Sequence, residues 1–139
     1  MSTTCNLPSS ECHSSPVFNC YFFNARSICN KLSDFEYFLN TSIPSTVGLC
    51  ETHITSDMPD QLLCGNNYNI VRKDRNSYGG GVALLVNRNY DVNEVVISSQ
   101  YSNNEIVAAD INVHNTKYRV VVFYRPPQYT SDDVEYMKL

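Results

Sequence analysis

The chain has 139 residues, which is enough for one ordinary domain and short for two. It is 42% hydrophobic and 17% charged, as expected of a globular protein, and no apolar run approaches the ~20 residues that a membrane-spanning helix requires. The formal net charge of −4 argues against nucleic-acid binding through a broadly basic surface, but it leaves a local site open.

The first part of the chain predicts a leader followed by a single domain. Residues 1–16 are rich in Ser, Thr, Cys and Pro without periodicity, which favours a disordered leader. They lack a basic segment followed by an apolar one, so we expect no secretory signal. The domain is predicted to cover 17–139 and to open with a β-rich run at 17–23.

The six cysteines predict free thiols, because a chain without a secretory signal is expected in a reducing compartment. Cys20, Cys29 and Cys50 lie in apolar stretches and are expected to pack as small hydrophobic residues. Cys5, Cys12 and His13 are conceivable zinc ligands. Their spacing fits no usual zinc finger and a fourth ligand is not apparent, so no metal is expected there.

A helix is predicted after the first strand. Its apolar stripe recurs at helical spacing, at Ile28, Leu32, Phe35 and Leu39. Ser27 is a plausible N-cap. The pair Ser33 and Glu36 also has the spacing of a capping box, but a start there would leave Ile28 outside the stripe, so the earlier start is favoured.

The remainder is predicted to be mostly β-structure. An apolar strand at 46–50 ends before Glu51, and a short helical turn covers 58–64. Further strands are predicted at 68–72, 81–86, 92–98, 106–113 and 118–124. A tight hairpin joins the last two, and the prolines that follow must end the last strand. Ser131 begins a new helical pattern that reaches only to Leu139, which predicts that the chain is a fragment.

Three polar residues follow three apolar strands. Asn24 supplies an amide, Glu51 a carboxylate and Tyr124 a phenol, each where a strand ends. If the strands are neighbours, these groups converge on one rim of the sheets, which is where functional sites form on such scaffolds. A carboxylate at that rim could hold Mg²⁺. Taken alone, a carboxylate after a strand is more often the start of a solvated loop.

The glycines at 79–81 introduce a buried strand and follow a basic cluster of Arg72, Lys73 and Arg75. A phosphate-binding loop of the Walker type is excluded, because no Gly-Lys-Ser/Thr follows and the next element is a strand. The favoured interpretation is a tight turn or a close approach between strands. The basic residues are more often a solvated strand end than a binding site.

Taken in order, four segments resemble one family. They are Asn-Ala-Arg-Ser at 24–27, Glu-Thr-His at 51–53, Arg-Lys-Asp-Arg with Gly-Gly-Gly-Val-Ala-Leu-Leu-Val at 72–86, and Tyr-Arg-Pro-Pro at 124–127. The combination resembles the endonuclease/exonuclease/phosphatase superfamily, and within it the apurinic-type endonuclease domain of non-LTR (LINE-like) retrotransposons. The resemblance covers about 18–139.

The resemblance implies an α/β fold, a two-layer β-sandwich flanked by helices, truncated to about its first half. It implies a domain that nicks DNA with Mg²⁺ or Mn²⁺ and leaves a 3′-hydroxyl for reverse transcription. By the same resemblance Glu51 is the metal ligand, Asn24 positions the catalytic histidine or the phosphate, and Tyr124 contacts the scissile phosphate. Arg26 and His53 are lesser candidates for contacts with DNA.

The chain departs from the family at two points. The apurinic repair enzymes have an acidic residue where Arg26 stands, so one metal-coordinating group is lost. The later Gly-Asp-Phe-Asn and Asp-His motifs, which activate the attacking water, are absent. The chain is therefore expected to be inactive alone. The full-length protein is expected to act on DNA, to carry a downstream reverse transcriptase and to have no membrane association. Nuclear residence is implied by the resemblance only.

Two alternatives stay open. The first is a phosphodiesterase or phosphatase of the same superfamily that acts on a phosphoinositide or a nucleotide. The second is a non-catalytic interaction module derived from the element, which could pair through an exposed sheet edge. A stable monomeric fold would favour the second alternative.

Overall fold

The computed structural model describes residues 17–75 and 79–126. These residues form two β-sheets and two α-helices. The first sheet has the order β1-β2-β4-β3, with β1 (Cys20–Asn24), β2 (Thr46–Cys50), β3 (Tyr68–Lys73) and β4 (Val82–Asn87). The second sheet has the order β5-β6-β7, with β5 (Asp91–Glu94), β6 (Glu105–Val113) and β7 (Thr116–Tyr124). The helices are α1 (Leu32–Ser42) and α2 (Asp60–Cys64).

Strand β4 lies at the centre of the packing, and this position explains why its sequence is continuously apolar. It pairs antiparallel with β2 on one side and β3 on the other, and all six of its residues are buried. Side chains alternate between the faces of a strand. Ala83 and Leu85 therefore join the core beneath the helices, whereas Val82, Leu84 and Val86 join the core between the sheets.

The helix stripe is confirmed and its predicted cap is wrong. Phe35 and Leu39 of α1 are buried against the first sheet, as is Ile28, which precedes the helix. A 3₁₀ turn at Cys29–Lys31 leads into α1, and no side chain caps either start. The reason is tertiary: the N–H of Ile28 donates to the carbonyl of Thr52 at 3.0 Å, so the chain is tied to the loop after β2 before it becomes helical.

The hairpin between β6 and β7 is confirmed. Nine residues of each strand pair antiparallel around a turn at His114 and Asn115. Both turn residues have positive φ, +47° and +64°, as a two-residue hairpin turn with the right-handed twist of its strands requires. Strand β5 is shorter than predicted: it ends at Glu94, and Val96 is 92% exposed. The apolar residues after Glu94 therefore do not extend the strand, and the predicted end at residue 98 is wrong.

One flank of the sandwich is open among the described residues. Strand β7 faces β2 and β4, and β1 extends the first sheet beyond β7. Two aromatic side chains at this flank are consequently exposed, Phe22 by 60% and Tyr118 by 49%. Phe22 and Val122 approach the same point on Gly48, where a Cβ would lie 3.1 and 3.0 Å from them, so Phe22 points into the space between the sheets. We call the edges of β1 and β7 the open flank.

Several sequence predictions concern residues at the two ends. The leader at 1–16, the zinc candidates Cys5, Cys12 and His13, and the helix predicted from Ser131 lie outside the described residues. The four described cysteines are free thiols, as predicted. Cys50 is buried, but Cys20 and Cys29 are exposed, so their expected packing as core residues is wrong. No helix within 17–75 or 79–126 is long and apolar enough to span a membrane.

Candidate active site

The parallel pairing of β1 with β2 brings Asn24 and Glu51 together. Asn24 is the last residue of β1 and is the register partner of Cys50, the last residue of β2. Parallel strands end at the same edge of a sheet, so the residue after Cys50 lies beside Asn24. Two further hydrogen bonds continue this alignment into the loops, from Ala25 N–H to the Cys50 carbonyl at 2.8 Å and from Ser27 N–H to the Glu51 carbonyl at 2.9 Å.

Tyr124 reaches the same point from the second sheet. It is the last residue of β7, and its hydroxyl donates to Oε1 of Glu51 at 2.7 Å. The side-chain amide of Asn24 donates to the same oxygen at 3.0 Å. Asn24, Glu51 and Tyr124 therefore meet at one rim, although 27 and 73 residues separate Glu51 from the other two. The predicted proximity of the three side chains is confirmed.

The backbone around the carboxylate is held in an unusual conformation. Glu51 has φ of +51° and His53 has φ of +54°, in a region that residues with a Cβ seldom occupy. Such conformations cost on the order of 1–3 kcal/mol and persist where surrounding contacts fix them. Asn24 is oriented as well, since its Oδ1 accepts from the N–H of Arg26 at 3.2 Å and its amide nitrogen must then face Glu51.

The two hydrogen bonds set the protonation states at the site. The donated bond from Tyr124, followed by that from Asn24, lowers the pKa of Glu51 below its usual range. The same bond to Glu51 is the main cause that raises the pKa of Tyr124 to about 12, and burial and the negative charge of Glu51 contribute less. At neutral pH the site therefore holds an ionised carboxylate and a protonated phenol.

Arg26 and His53 lie close enough to influence Glu51. Both contribute to lowering the pKa of Glu51 through their charge, although less than the two hydrogen bonds do. Both side chains are exposed. They are placed at the predicted rim, and their contact with DNA stays a prediction.

The basic cluster is largely used within the fold. Arg72 lies 3.2 Å from Asp60 and 3.5 Å from Asp74, and it also donates to the carbonyl of Met58 at 2.6 Å. The ammonium group of Lys73 donates to the carbonyl of Asn104 at 2.6 Å and to that of Ser102. These two side chains therefore hold loops together, and the solvated strand end that the sequence favoured is wrong for Arg72, whose side chain is 15% exposed.

Sequence reasoning missed two buried polar residues behind the site. Thr52 is fully buried, and Glu105 is 6% exposed at the start of β6. Oε1 of Glu105 accepts the N–H of Gly81 at 2.6 Å, whereas its Oε2 and the hydroxyl oxygen of Thr52 have no hydrogen-bond partner within the described residues. A Glu before an apolar strand is a common pattern for a solvated strand end, so only its burial reveals it.

The donor set suits a hard divalent cation that takes most of its ligands from elsewhere. Within 17–75 and 79–126, no three His, Cys, Asp or Glu side chains are grouped so that they could hold a metal ion. Glu51 offers one carboxylate whose directly bonded partners, Tyr124 and Asn24, are uncharged. Mg²⁺ commonly uses one or two carboxylates and completes its shell with water and phosphate oxygens. The residues therefore fit Mg²⁺ or Mn²⁺ held through Glu51.

Comparison with known proteins finds matches among solved structures alone. No protein-family model and no curated protein matches the chain. The endonuclease domain of TRAS1, a telomere-specific non-LTR retrotransposon, is 14% identical with a TM-score of 0.59, over 81% of this chain and 48% of that one. An AP endonuclease from Archaeoglobus fulgidus is 19% identical with a TM-score of 0.55, over 84% and 44%. A 3′ phosphatase, NExo from Neisseria, bound to a product DNA hairpin, is 18% identical with a TM-score of 0.55, over 76% and 39%.

These similarities establish the class of fold. The chain has the endonuclease/exonuclease/phosphatase fold, with the two sheets and flanking helices that the sequence predicted. It spans slightly less than half the length of the solved chains that it matches, 44% and 48% for the first two.

Proposed function

We propose that this chain is part of a divalent-metal-dependent phosphodiester hydrolase that nicks DNA, from the endonuclease of a non-LTR retrotransposon. The observation that carries the proposal is the convergence of Tyr124 and Asn24 on one oxygen of Glu51. The TRAS1 endonuclease domain among the structural neighbours supports the retrotransposon branch.

In the proposed reaction, Glu51 would hold Mg²⁺ or Mn²⁺. When bound, the ion would neutralise the negative charge that develops on the phosphate. Tyr124 keeps its proton, since its pKa is raised to about 12, and it donates that single proton to Glu51. In the proposed reaction the hydroxyl would exchange Glu51 for a phosphate oxygen as the acceptor of this bond. Asn24 keeps the Glu51 carboxylate oriented through its amide.

The three converging groups would supply metal and phosphate contacts, and none of them is a free base for the attacking water. The three converging groups are an ionised carboxylate occupied by hydrogen bonds, an amide and a protonated phenol. Water activation requires a properly placed base. We propose that further strands outside this chain complete the sheets at the open flank and supply that base. β1 and β7 border the flank, and both end at Glu51's rim.

The experiment is a nicking assay on supercoiled plasmid DNA in Mg²⁺. The 139-residue chain should not detectably convert supercoiled plasmid to open circles. The same chain joined to a downstream half containing Gly-Asp-Phe-Asn and Asp-His segments should do so. Unaided nicking that survives Glu51→Ala would contradict both the incomplete-site argument and the role of Glu51.

The parent protein would carry the remaining predicted features. The 3′-hydroxyl left by nicking would prime a downstream reverse transcriptase, and the protein would act on DNA in the nucleus. Sequencing the gene immediately downstream of codon 139 tests this, since a reverse-transcriptase reading frame supports the proposal and an unrelated domain contradicts it.

A further inference from the structure

Glu105 is a buried carboxylate that the proposed reaction does not use. It begins β6, is 6% exposed, and is the register partner of Tyr124 across the β6–β7 pair. A carboxylate in such surroundings is costly to bury unless it makes strong hydrogen bonds. Its Oε1 accepts the backbone N–H of Gly81 at 2.6 Å, a short charge-assisted bond.

The glycine turn is shaped around this carboxylate. A Cβ added at Gly80 would lie 2.1 Å from Oε1 of Glu105, and one added at Gly81 would lie 2.4 Å from the hydroxyl oxygen of Thr52. Both glycines have positive φ, +72° and +92°. The close approach and the backbone conformation each require glycine here. Gly80 therefore gives Glu105 room to reach the backbone N–H of Gly81, and Gly81 leaves room for Thr52.

The glycine turn in turn holds the loop that presents Glu51. The carbonyl of Gly81 accepts the N–H of Thr52 at 3.2 Å, and that of Gly80 accepts the N–H of His53 at 2.9 Å. One bond is made by Thr52, which lies between the two residues with unfavourable positive φ, Glu51 and His53, and the other is made by His53 itself. A strained loop keeps its conformation only while such contacts fix it.

We propose that Glu105 is a positioning residue: by holding Gly80–Gly81, it fixes the 51–53 loop in the conformation that aims the Glu51 carboxylate at the proposed metal. Lys73 supports the same end of β6 through its bond to the carbonyl of Asn104. The inference rests on the proposed function for the metal, but its structural half, control of the 51–53 loop, can be measured without metal.

The test uses the 139-residue chain and two matched substitutions. Glu105→Gln keeps an oxygen that can accept the Gly81 N–H, whereas Glu105→Met fills a similar volume without an acceptor. Asp110→Leu is the control, because Asp110 is also a buried carboxylate of β6, at 9% exposure, and it lies at the opposite end next to Arg119. The probe is Mn²⁺, measured by the fraction of free ion, together with backbone amide shifts of the metal-free proteins.

We expect Glu105→Met to shift the amide resonances of Gly81 and of residues 51–53. It should weaken Mn²⁺ binding about tenfold, the lower end of the range for losing a group that orients a metal ligand, because Glu105 acts on Glu51 through the glycine turn. Glu105→Gln should retain the wild-type amide resonances and Mn²⁺ affinity, because it keeps the oxygen that accepts the Gly81 N–H. If the charge of Glu105 were what mattered, Glu105→Gln would behave like Glu105→Met. Asp110→Leu should leave the 51–53 resonances and the Mn²⁺ affinity unchanged.

Two results would overturn the inference: unchanged 51–53 resonances in Glu105→Met, or an equal loss of Mn²⁺ affinity in Asp110→Leu. If Glu105→Met does not fold, Gly80→Ala takes its place, because its methyl group would crowd the same oxygen. Unchanged 51–53 resonances there would also refute the inference. If wild-type Mn²⁺ binding is insensitive to Glu51→Ala, the proposed metal site fails, while the amide shifts still decide the role of Glu105.

Discussion

The β6–β7 hairpin carries two buried carboxylates, Asp110 and Glu105, and the two are bonded in different ways. At the turn end, Asp110 receives two bonds from the guanidinium of Arg119, at 2.7 and 3.0 Å, and Lys117 lies 3.7 Å away. At the other end, Glu105 is bonded to a backbone N–H, and Tyr124, opposite it, is bonded to Glu51.

The comparison separates a structural ion pair from a candidate site. The pKa of Asp110 is lowered chiefly by Arg119, a cation that neutralises it. The pKa of Glu51 is lowered chiefly by the uncharged donors Tyr124 and Asn24. The carboxylate of Glu51 is thus ionised without a bonded cation, which leaves it able to attract one. This contrast predicts that substitutions at the two ends have different consequences.

The largest expected effect is on catalysis in the protein completed by a downstream half. Glu51→Ala should lower the rate of plasmid nicking by roughly 10²–10³-fold, the cost of losing one electrostatic contribution to the transition state, since it removes the proposed ligand of the metal. Asp110→Ala should leave the rate per folded molecule unchanged. A comparable loss in both variants would indicate that the assay reports stability and would erase the contrast.

The next effect concerns metal binding to the chain alone. A single carboxylate leaves most of the coordination shell to water, so we expect weak Mg²⁺ binding that disappears in Glu51→Ala and persists in Asp110→Ala. Isothermal titration calorimetry measures both. Tight binding that survives Glu51→Ala would place the metal elsewhere.

A smaller effect is expected on the pH dependence. Tyr124→Phe removes the main cause of the lowered pKa of Glu51, so that pKa should rise towards its ordinary value while that of Asp110 stays low. A lowered folded-state pKa contributes stability above the unfolded-state pKa, and this stability is lost as pH falls through the folded-state pKa. Tyr124→Phe should therefore make stability fall less on acidification. The measurement is the carbon-13 shift of the Glu51 and Asp110 carboxyl groups as a function of pH. A Glu51 titration midpoint that is the same in Tyr124→Phe and wild type would contradict the prediction.

The smallest effect compares positive φ at the two ends. His114 has φ of +47° in the hairpin turn, where glycine is at no steric disadvantage. His114→Gly relieves a left-handed conformation that costs a residue with a Cβ roughly 1–2 kcal/mol, but glycine adds roughly 0.5–1 kcal/mol of unfolded-chain entropy. The net change in the free energy of unfolding should therefore be small and in the stabilising direction. His53→Gly relieves the same kind of conformation, but should weaken DNA binding if His53 contacts DNA. Urea unfolding and DNA-binding titrations of both variants distinguish strain from function.

Much of the candidate site could be predicted from sequence because strand ends are local features. Asn24, Glu51 and Tyr124 each follow an apolar run, and a run of that kind specifies where a buried strand surfaces. The hairpin turn at 114–115 was predictable for the same reason. The helix cap was not, because Ile28 is tied to Thr52 by a bond that no local pattern encodes.

What the sequence determined by itself was the series of strands, the residues at their ends and the class of fold, since these follow from periodicity and from motifs in order. The tertiary structure alone decided which polar groups are paired. It placed Tyr124 and Asn24 on one oxygen of Glu51, tied Arg72 to Asp60 and Asp74, and buried Glu105 against Gly81. Hydrogen bonds across two sheets depend on how those sheets pack, and packing joins residues that are distant in the chain.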